Sequence, residues 1–428
     1  MIDVFSIKDF KFKKGFAWGS ATAGHQIEGD NIHSSFWHNE QIEHAKNPDY
    51  PISGKACNSY EMYEEDSKLL QELKHQVYRM SVEWSRIEPH EGDFRQEEVE
   101  HYIKVFESLR VRGIEISVTL VHFVVPQWFI EKGGFEKMEN LVYFERYVNY
   151  IVPKITKYVS SWCVLNEANM AVTADKFVFK MNSVRYHARG YHIIKQYSDK
   201  PVSTAHGFIY MHGKRQGDKF DMAVQNYNDV LCNEYFFHAI RTGELVVPSC
   251  DAVYDKEIKD TCDYWAINTY LRRMIDTRKK DNRGNRYNFS YLELIPNSFY
   301  INEFDPSCII HNLCRLRDKP VIITENGLST DDDDFRIVWL VEYLSAVHEA
   351  IELGVDVQGY YYWSLLDNYE WGDYRPRFGL VDVDRENGFK RTIKPSGYFY
   401  REIIENNGFS QDILKKYLKS MPTLNKQR

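Results

Sequence analysis

Residues 321–327 read Val-Ile-Ile-Thr-Glu-Asn-Gly. Four β-favouring residues run straight into a glutamate, and Asn-Gly follows at once. The run has the composition of a strand buried on both faces, as in parallel sheets. An uncompensated buried carboxylate is costly, so Glu325 needs a partner or a chemical role. One place suits such a residue: the C-terminal rim of a parallel barrel, where catalytic groups collect at strand ends.

Reading outward from Glu325 supports that placement. Short β-rich runs alternate with longer helical patterns along the whole chain. Strands are expected at 15–22, 76–82, 114–121, 162–167, 201–210 (the weakest), 263–270, 321–325 and 357–366. Helical periodicity fills 58–74, 96–113, 138–158, 184–197, 219–241 and 333–353, and another helix starts at Asp305 with Pro306 at its first position. Four aspartates, Asp331 to Asp334, read as a solvated helix N-terminus, where negative charge is favoured. Eight strands alternating with helices predict a (β/α)8 TIM barrel with long βα loops, in one domain over residues 1–428. An open doubly-wound sheet is the competing fold. It usually carries a Gly-rich phosphate turn near its first strand, and neither G-x-G-x-x-G nor G-x-x-x-x-G-K occurs here. The polar stretch 276–290 reads as a long loop on the barrel rim.

Bulk properties narrow the function. Hydrophobic residues make up 43% and charged residues 27%, a globular balance. The net charge of −8 disfavours nucleic acid or an anionic membrane as the main partner. No apolar run reaches the length of a membrane span, and the N-terminus has no apolar signal region. Seven cysteines, an odd number with no C-x-x-C spacing, read as reduced thiols in a cytoplasmic protein. Aromatics reach 15%. They build a large core, or line a pocket that stacks on flat ligand faces.

The strand ends then gather polar and aromatic groups at one opening. Gln26 and Glu28 follow strand one, and Arg79 lies on strand two. His122 ends strand three, Asn166 and Glu167 strand four, Asn268 and Tyr270 strand six, and Glu325 strand seven. Trp363 ends strand eight, with Glu370 and Trp371 in the loop beyond. Strands four and seven lie across the mouth from each other, so Glu167 and Glu325 can face across a cleft. Paired carboxylates of this kind cleave glycosidic bonds, provided that one keeps its proton while the other is ionised. Arg79 and the Tyr270 hydroxyl are the natural partners of an ionised Glu325 and would lower its pKa. Glu167, with no basic neighbour in sequence, is the better candidate acid. Arg79 is read as a supporting residue behind the reacting groups. No H-x-H or H-E-x-x-H spacing supports a metal-dependent hydrolase, so no metal or cofactor is expected.

Six motifs in order give the chain a resemblance to glycoside hydrolase family 1, the β-glucosidase family. FAWGSATAGHQIEG (16–29) is similar to the family's N-terminal signature, and VYRMSVEWSRIEP (77–89) to its second-strand motif. VTLVHFVVPQWF (118–129), with KGGFE (132–136), resembles its third-strand region. VLNEAN (164–169) resembles its acid/base motif and VIITENG its nucleophile motif. YYYWSLLDNYEW (360–371) and RFGLVDVD (377–384) resemble its C-terminal signature. The resemblance implies a retaining mechanism with Glu325 as nucleophile and Glu167 as acid and base. It implies sugar contacts at Gln26, His122, Asn166, Glu370 and Trp371, with Trp363 as a stacking floor. A small saccharide or glycoside with a terminal β-D-glucosyl residue is the expected substrate, β-galactosyl and β-fucosyl residues being alternatives. A homo-oligomer is left open.

Three departures from the family pattern stand out. The family usually writes Asn-Glu-Pro where this chain has Asn166-Glu167-Ala168, which permits more backbone freedom. Phe123 stands where many members have Trp. The segment 168–187 lacks a Gly/Pro-rich loop that walls the leaving-group side. Two rival functions remain: a 6-phospho-β-glycosidase, disfavoured by Glu370 where that subgroup tends to carry Ser, and a weakly catalytic sugar-binding relative, disfavoured because both glutamates are present.

Overall fold

A computed structural model of the chain describes residues 3–170, 177–279 and 304–422. Eight parallel strands close into a barrel: β1 Ala17–Ala21, β2 Val77–Ser81, β3 Glu115–Val121, β4 Ser161–Asn166, β5 Val202–Gly207, β6 Trp265–Asn268, β7 Val321–Asn326 and β8 Val357–Trp363. Each pairs with its neighbours in chain order, and β8 closes on β1. Residues of β2, β4 and β5 are buried along their full length, because barrel strands face the interior on one side and helices on the other.

The outer ring holds α1 Ser59–Glu72, α2 Gln96–Arg110, α3 Leu141–Ile155, α4 Phe177–Tyr197, α5 Tyr235–Thr242, α6 Ser307–Leu313, α7 Asp333–Glu352 and α8 Pro395–Asn406. The four-aspartate run caps α7: the Asp332 carboxylate accepts the Phe335 N–H at 3.1 Å. Pro306 stands at the N-cap of α6. Two expected boundaries move. Helix α4 begins at Phe177, seven residues before the predicted start, because its first turns bury Lys180, Asn182 and Ser183 and so break the apolar periodicity. The helix expected over 219–241 is two helices, Lys219–Asp229 and α5, joined by a π turn at Val230–Glu234. Of the predicted rim loop, residues 280–290 lie outside the described residues.

Most of the aromatic surplus is core. Trp18, Trp84, Trp162, Trp265 and Trp339 are fully buried among aliphatic and aromatic side chains. A smaller cluster of Ala21, Ala23, Trp363 and Phe378, with Tyr270 and Trp371 packed on it, sits at the barrel mouth.

The two glutamate-bearing strands share an irregularity. Between Cys163 and Asn166, β4 fits one more residue than β5 opposite it. Between Ile323 and Asn326, β7 does the same against β8, and against β6 between Ile323 and Glu325. An extra residue bends a strand end and re-aims its side chain. The Asn-Gly after Glu325 is not a hairpin turn. Asn326 donates to the Thr269 carbonyl at 2.6 Å and accepts from the Tyr360 hydroxyl at 2.7 Å, tying β7 to the end of β6 and to β8. A Cβ on Gly327 would lie 1.8 Å from the Trp363 carbonyl oxygen, so only glycine fits.

Candidate active site

The barrel brings Glu325, Glu167, Arg79, Asn166, Asn268, Tyr270 and His122 into one hydrogen-bonded group. Arg79 is 1% exposed and rises through the barrel interior from β2. Its Nη1 donates to Glu325 Oε1 at 2.6 Å and its Nη2 to Asn166 Oδ1 at 2.7 Å, while Nε donates to the Thr119 hydroxyl at 3.1 Å. The Tyr270 hydroxyl donates to the other Glu325 oxygen at 2.6 Å. Both oxygens of Glu325 are thus held, one by a cation and one by a hydroxyl.

Glu167 has a different setting. Its Oε1 accepts one bond, from Asn268 Nδ2 at 2.8 Å. The residue is partly accessible from the mouth, yet protein atoms crowd its carboxyl group. Burial, reinforced by the nearby charge of Glu325, pushes its pKa up to about 8. Glu325 departs from the sequence expectation. Arg79 and Tyr270 do act to lower its pKa, but burial outweighs them and the net shift is upward from 4.5. The carboxylate is 4% exposed, and desolvation at that depth is the larger effect. The unlike partners still separate the two acids: the negative charge belongs on Glu325 beside Arg79, and the proton on Glu167.

Asn268 links the two. Its Nδ2 also lies 3.0 Å from Asn166 Oδ1, and its Oδ1 accepts the Thr324 hydroxyl at 2.7 Å. Both of its amide hydrogens are therefore committed to protein atoms. Asn166 Nδ2 lies 3.0 Å from His122 Nε2. Burial and the Arg79 charge hold His122 neutral, well below the usual imidazole range. Neutral His122 then accepts from Asn166 at Nε2 and carries its proton on Nδ1, which is buried and has no partner among the described residues.

Gln26, at 0% exposure, donates to Asn368 Oδ1 at 3.1 Å, and its own Oε1 is a second buried atom without a partner among the described residues. Glu370 accepts from Trp363 Nε1 at 2.9 Å, and burial pushes its pKa up to about 7. The His122 ring stacks near both Trp363 and Trp371, with centroids 5.7 and 6.0 Å away. Phe123 meets Trp371 edge to face at 5.2 Å. Buried polar atoms are normally paired. A donor at His122 Nδ1 and an acceptor at Gln26 Oε1, beside two indoles, are the groups that a sugar's hydroxyls and C–H face require.

One strand-end residue lies elsewhere. Glu28 does not join this group: it pairs with Arg86 Nε at 2.7 Å and accepts from the Tyr102 hydroxyl. Gln26 lies within the single helical turn Gly24–Ile27 and Glu28 caps its end two residues on, so the two side chains point to different sides and Glu28 faces α2. Sequence reasoning passed over Thr324, which orients Asn268, and Asn368, which orients Gln26. Both lie inside quoted motifs, but no residue-type signal distinguishes them from ordinary buried polar residues.

A closed parallel barrel with two unlike, buried carboxylates, and with a donor on His122 and an acceptor on Gln26 left over beside them among the described residues, defines a barrel glycosidase. The chain belongs to glycosyl hydrolase family 1, whose model matches residues 8–409; members of this family hydrolyse glycosides with retention of configuration. It is 30% identical to β-glucosidase A of Acetivibrio thermocellus, over 93% of this chain and 99% of that protein. The fold matches a β-glycosidase from Pyrococcus horikoshii with TM-score 0.85 at 31% identity, covering 96% of this chain and 98% of that one. It matches a family 1 β-glucosidase from Thermotoga maritima in complex with isofagomine lactam with TM-score 0.84 at 28% identity, covering 94% and 100%. Among the described residues, no helix is long and apolar enough to cross a membrane.

Proposed function

We propose that the protein removes terminal, non-reducing β-D-glucosyl residues from short saccharides or glycosides by double displacement, in a single barrel domain. The observation that carries this reading is the contrast in partners: Glu325 between Arg79 and Tyr270, Glu167 beside a neutral amide. Glu325 attacks the anomeric carbon and forms a covalent glycosyl-enzyme. Glu167 protonates the departing oxygen. Once ionised, it takes a proton from the water that releases the sugar. The first step takes the proton from Glu167 and the second, on hydrolysis, returns one from water, so the pair ends as it began.

Gln26, His122, Asn166 and Glu370 grip the sugar hydroxyls, with Trp371 beside them and Trp363 under the ring. Asn268 and Tyr270, both bonded to the carboxylates, act chiefly on the reacting groups. β-Galactosyl and β-fucosyl residues fit the same scheme. A 6-phospho sugar is disfavoured because Glu370 and Glu325 place negative potential in the pocket, while Arg377 is tied to Asp367 and Asp382. None of the seven cysteines, all among the described residues, forms a disulfide, which supports a cytoplasmic location.

A panel of aryl β-glycosides with varied sugars tests the substrate. A 2-fluoro-glycoside trap followed by peptide mapping tests the nucleophile: the label is expected on Glu325, and a label on any other residue overturns the assignment.

A further inference from the structure

Two residues beyond Glu167, in a single 3-10 turn over Ala168–Met170, stands Asn169. It is 3% exposed. Its Oδ1 accepts the Gly207 N–H at 3.0 Å. Its Nδ2 donates to the Gly207 carbonyl at 2.8 Å and to the Cys232 carbonyl at 2.7 Å, and His206 Nε2 lies 3.2 Å from the same nitrogen. The amide can point only one way, because a backbone N–H can only donate and a carbonyl can only accept. Cys232 belongs to the π turn Val230–Glu234, so this bond ties Asn169 to the junction between the two helices. The main-chain carbonyl of Asn169 accepts from Nζ of Lys180, a buried lysine on α4. The turn is therefore gripped from β5, the π turn and α4.

What the grip holds is unusual. Glu167 has φ of +43°, the left-handed region that residues with a side chain seldom adopt. Such a residue persists only where its surroundings fix it. Its N–H donates to the Ala205 carbonyl at 2.7 Å and its carbonyl accepts from Met170 at 2.8 Å. Gly207 lies directly beneath. A Cβ there would sit 3.2 Å from the carboxyl carbon of Glu167 and 2.7 Å from Met170 Cγ. Asn169 thus binds both the N–H and the carbonyl of the residue on which the Glu167 side chain rests.

We propose that Asn169, braced by Lys180, is a positioning residue for Glu167: its amide clamp on Gly207 and Cys232 holds the left-handed turn that aims the carboxyl group at the leaving oxygen. The clamp supplies the stiffness that Ala168 does not, in a turn where the family's usual proline would. Asn169 touches no reacting atom; all its bonds are to protein. The proposal rests on the reading of Glu167 as general acid.

The test is kcat/KM, which reports formation of the glycosyl-enzyme, for aryl β-glycosides of the best-accepted sugar. The series runs from strongly acidic phenols, which leave unaided, to weakly acidic ones, which need a proton. Wild type, Asn169→Ala, Lys180→Met and Glu167→Gln are compared, with thermal unfolding as the check on folding. Asn169→Ala is expected to lose about 30-fold on the weakly acidic phenols and under about 3-fold on 2,4-dinitrophenol. Lys180→Met is expected to move the same way by about 3-fold, and it alone carries the test if Asn169→Ala does not fold. Equal losses across the series, or none in either variant while Glu167→Gln shows a steep dependence, overturn the clamp and leave Glu167 in its role. A Glu167→Gln profile with no leaving-group dependence overturns the acid assignment itself, and the proposal with it.

Discussion

Among the buried carboxylates of the described residues, two pairs match at first sight. In one, Glu325 faces Arg79 at 2.6 Å; in the other, Glu28 faces Arg86 at 2.7 Å. Each has a second member, Glu167 or Glu83, whose pKa burial pushes up to about 8. They differ in what surrounds that second carboxyl. Glu83 accepts from Ser81 Oγ at 2.8 Å and Asn31 Nδ2 at 2.9 Å, and a Cβ on Gly24 would lie 2.6 Å from its Oε1. It is packed shut. Among the described residues, Glu167 has a single bond, from Asn268, and partial access to the mouth, with unpartnered atoms on Gln26 and His122 in the same site. Perturbed acidity alone does not mark a catalytic site, since structural networks perturb it equally. Uncommitted hydrogen-bonding capacity beside the perturbed acid does.

That contrast is open to direct attack. The largest effect is expected from Glu325→Ala, which should lower kcat/KM by about four orders of magnitude. Glu83→Gln should change it by less than about threefold. A comparable loss at Glu83 would abolish the distinction. Next, Glu167→Gln should lose about 10²- to 10⁴-fold on substrates with poor leaving groups. It should also erase the basic limb of the pH–rate profile, expected near pH 8 in the wild type because deprotonated Glu167 cannot act as an acid. A basic limb that survives the substitution would show that another group sets it.

Arg79→Met removes the counter-charge of Glu325, so the acid limb of kcat/KM should move to higher pH by about one unit. Arg86→Met should leave that limb in place, and a shift in both variants would mean that the two arginines are not distinct. The smallest effect is on stability. Glu167 and Glu83 both hold protons in the folded state that the unfolded chain releases above about pH 4.5. Their contribution is full below that pH and is lost as pH rises through about 8. Glutamine does not titrate. Melting temperatures of Glu167→Gln and Glu83→Gln, relative to wild type, should therefore climb by about 2–4 °C between pH 5 and pH 9. A flat trend in either would contradict the raised acidity assigned to that residue. Here the two pairs should behave alike, which makes activity the measurement that separates them.

Much of the site was legible because barrel geometry converts sequence order into spatial order. Once eight β-rich runs alternate with helices, residues just past each run must meet at one rim, whatever lies between them. Glu325 and Glu167 could be paired on that ground alone. Glu28 shows where the logic stops: two residues beyond Gln26, it turns away to Arg86. Asn268 shows another limit, since its position at the rim was foreseeable but its bonds to Thr324, Asn166 and Glu167 were not.

The sequence by itself determined the alternation of elements, the barrel, and which residue types stand at its mouth. Those depend on hydrophobic period and chain order, both written locally. Only the tertiary structure decided how deep Glu325 lies, that β4 and β7 each carry an extra residue, and that Asn169 grips Gly207. These depend on which atoms approach from strands far apart in the chain. Desolvation, strand register and hydrogen-bond geometry come from that approach, and no local pattern records it.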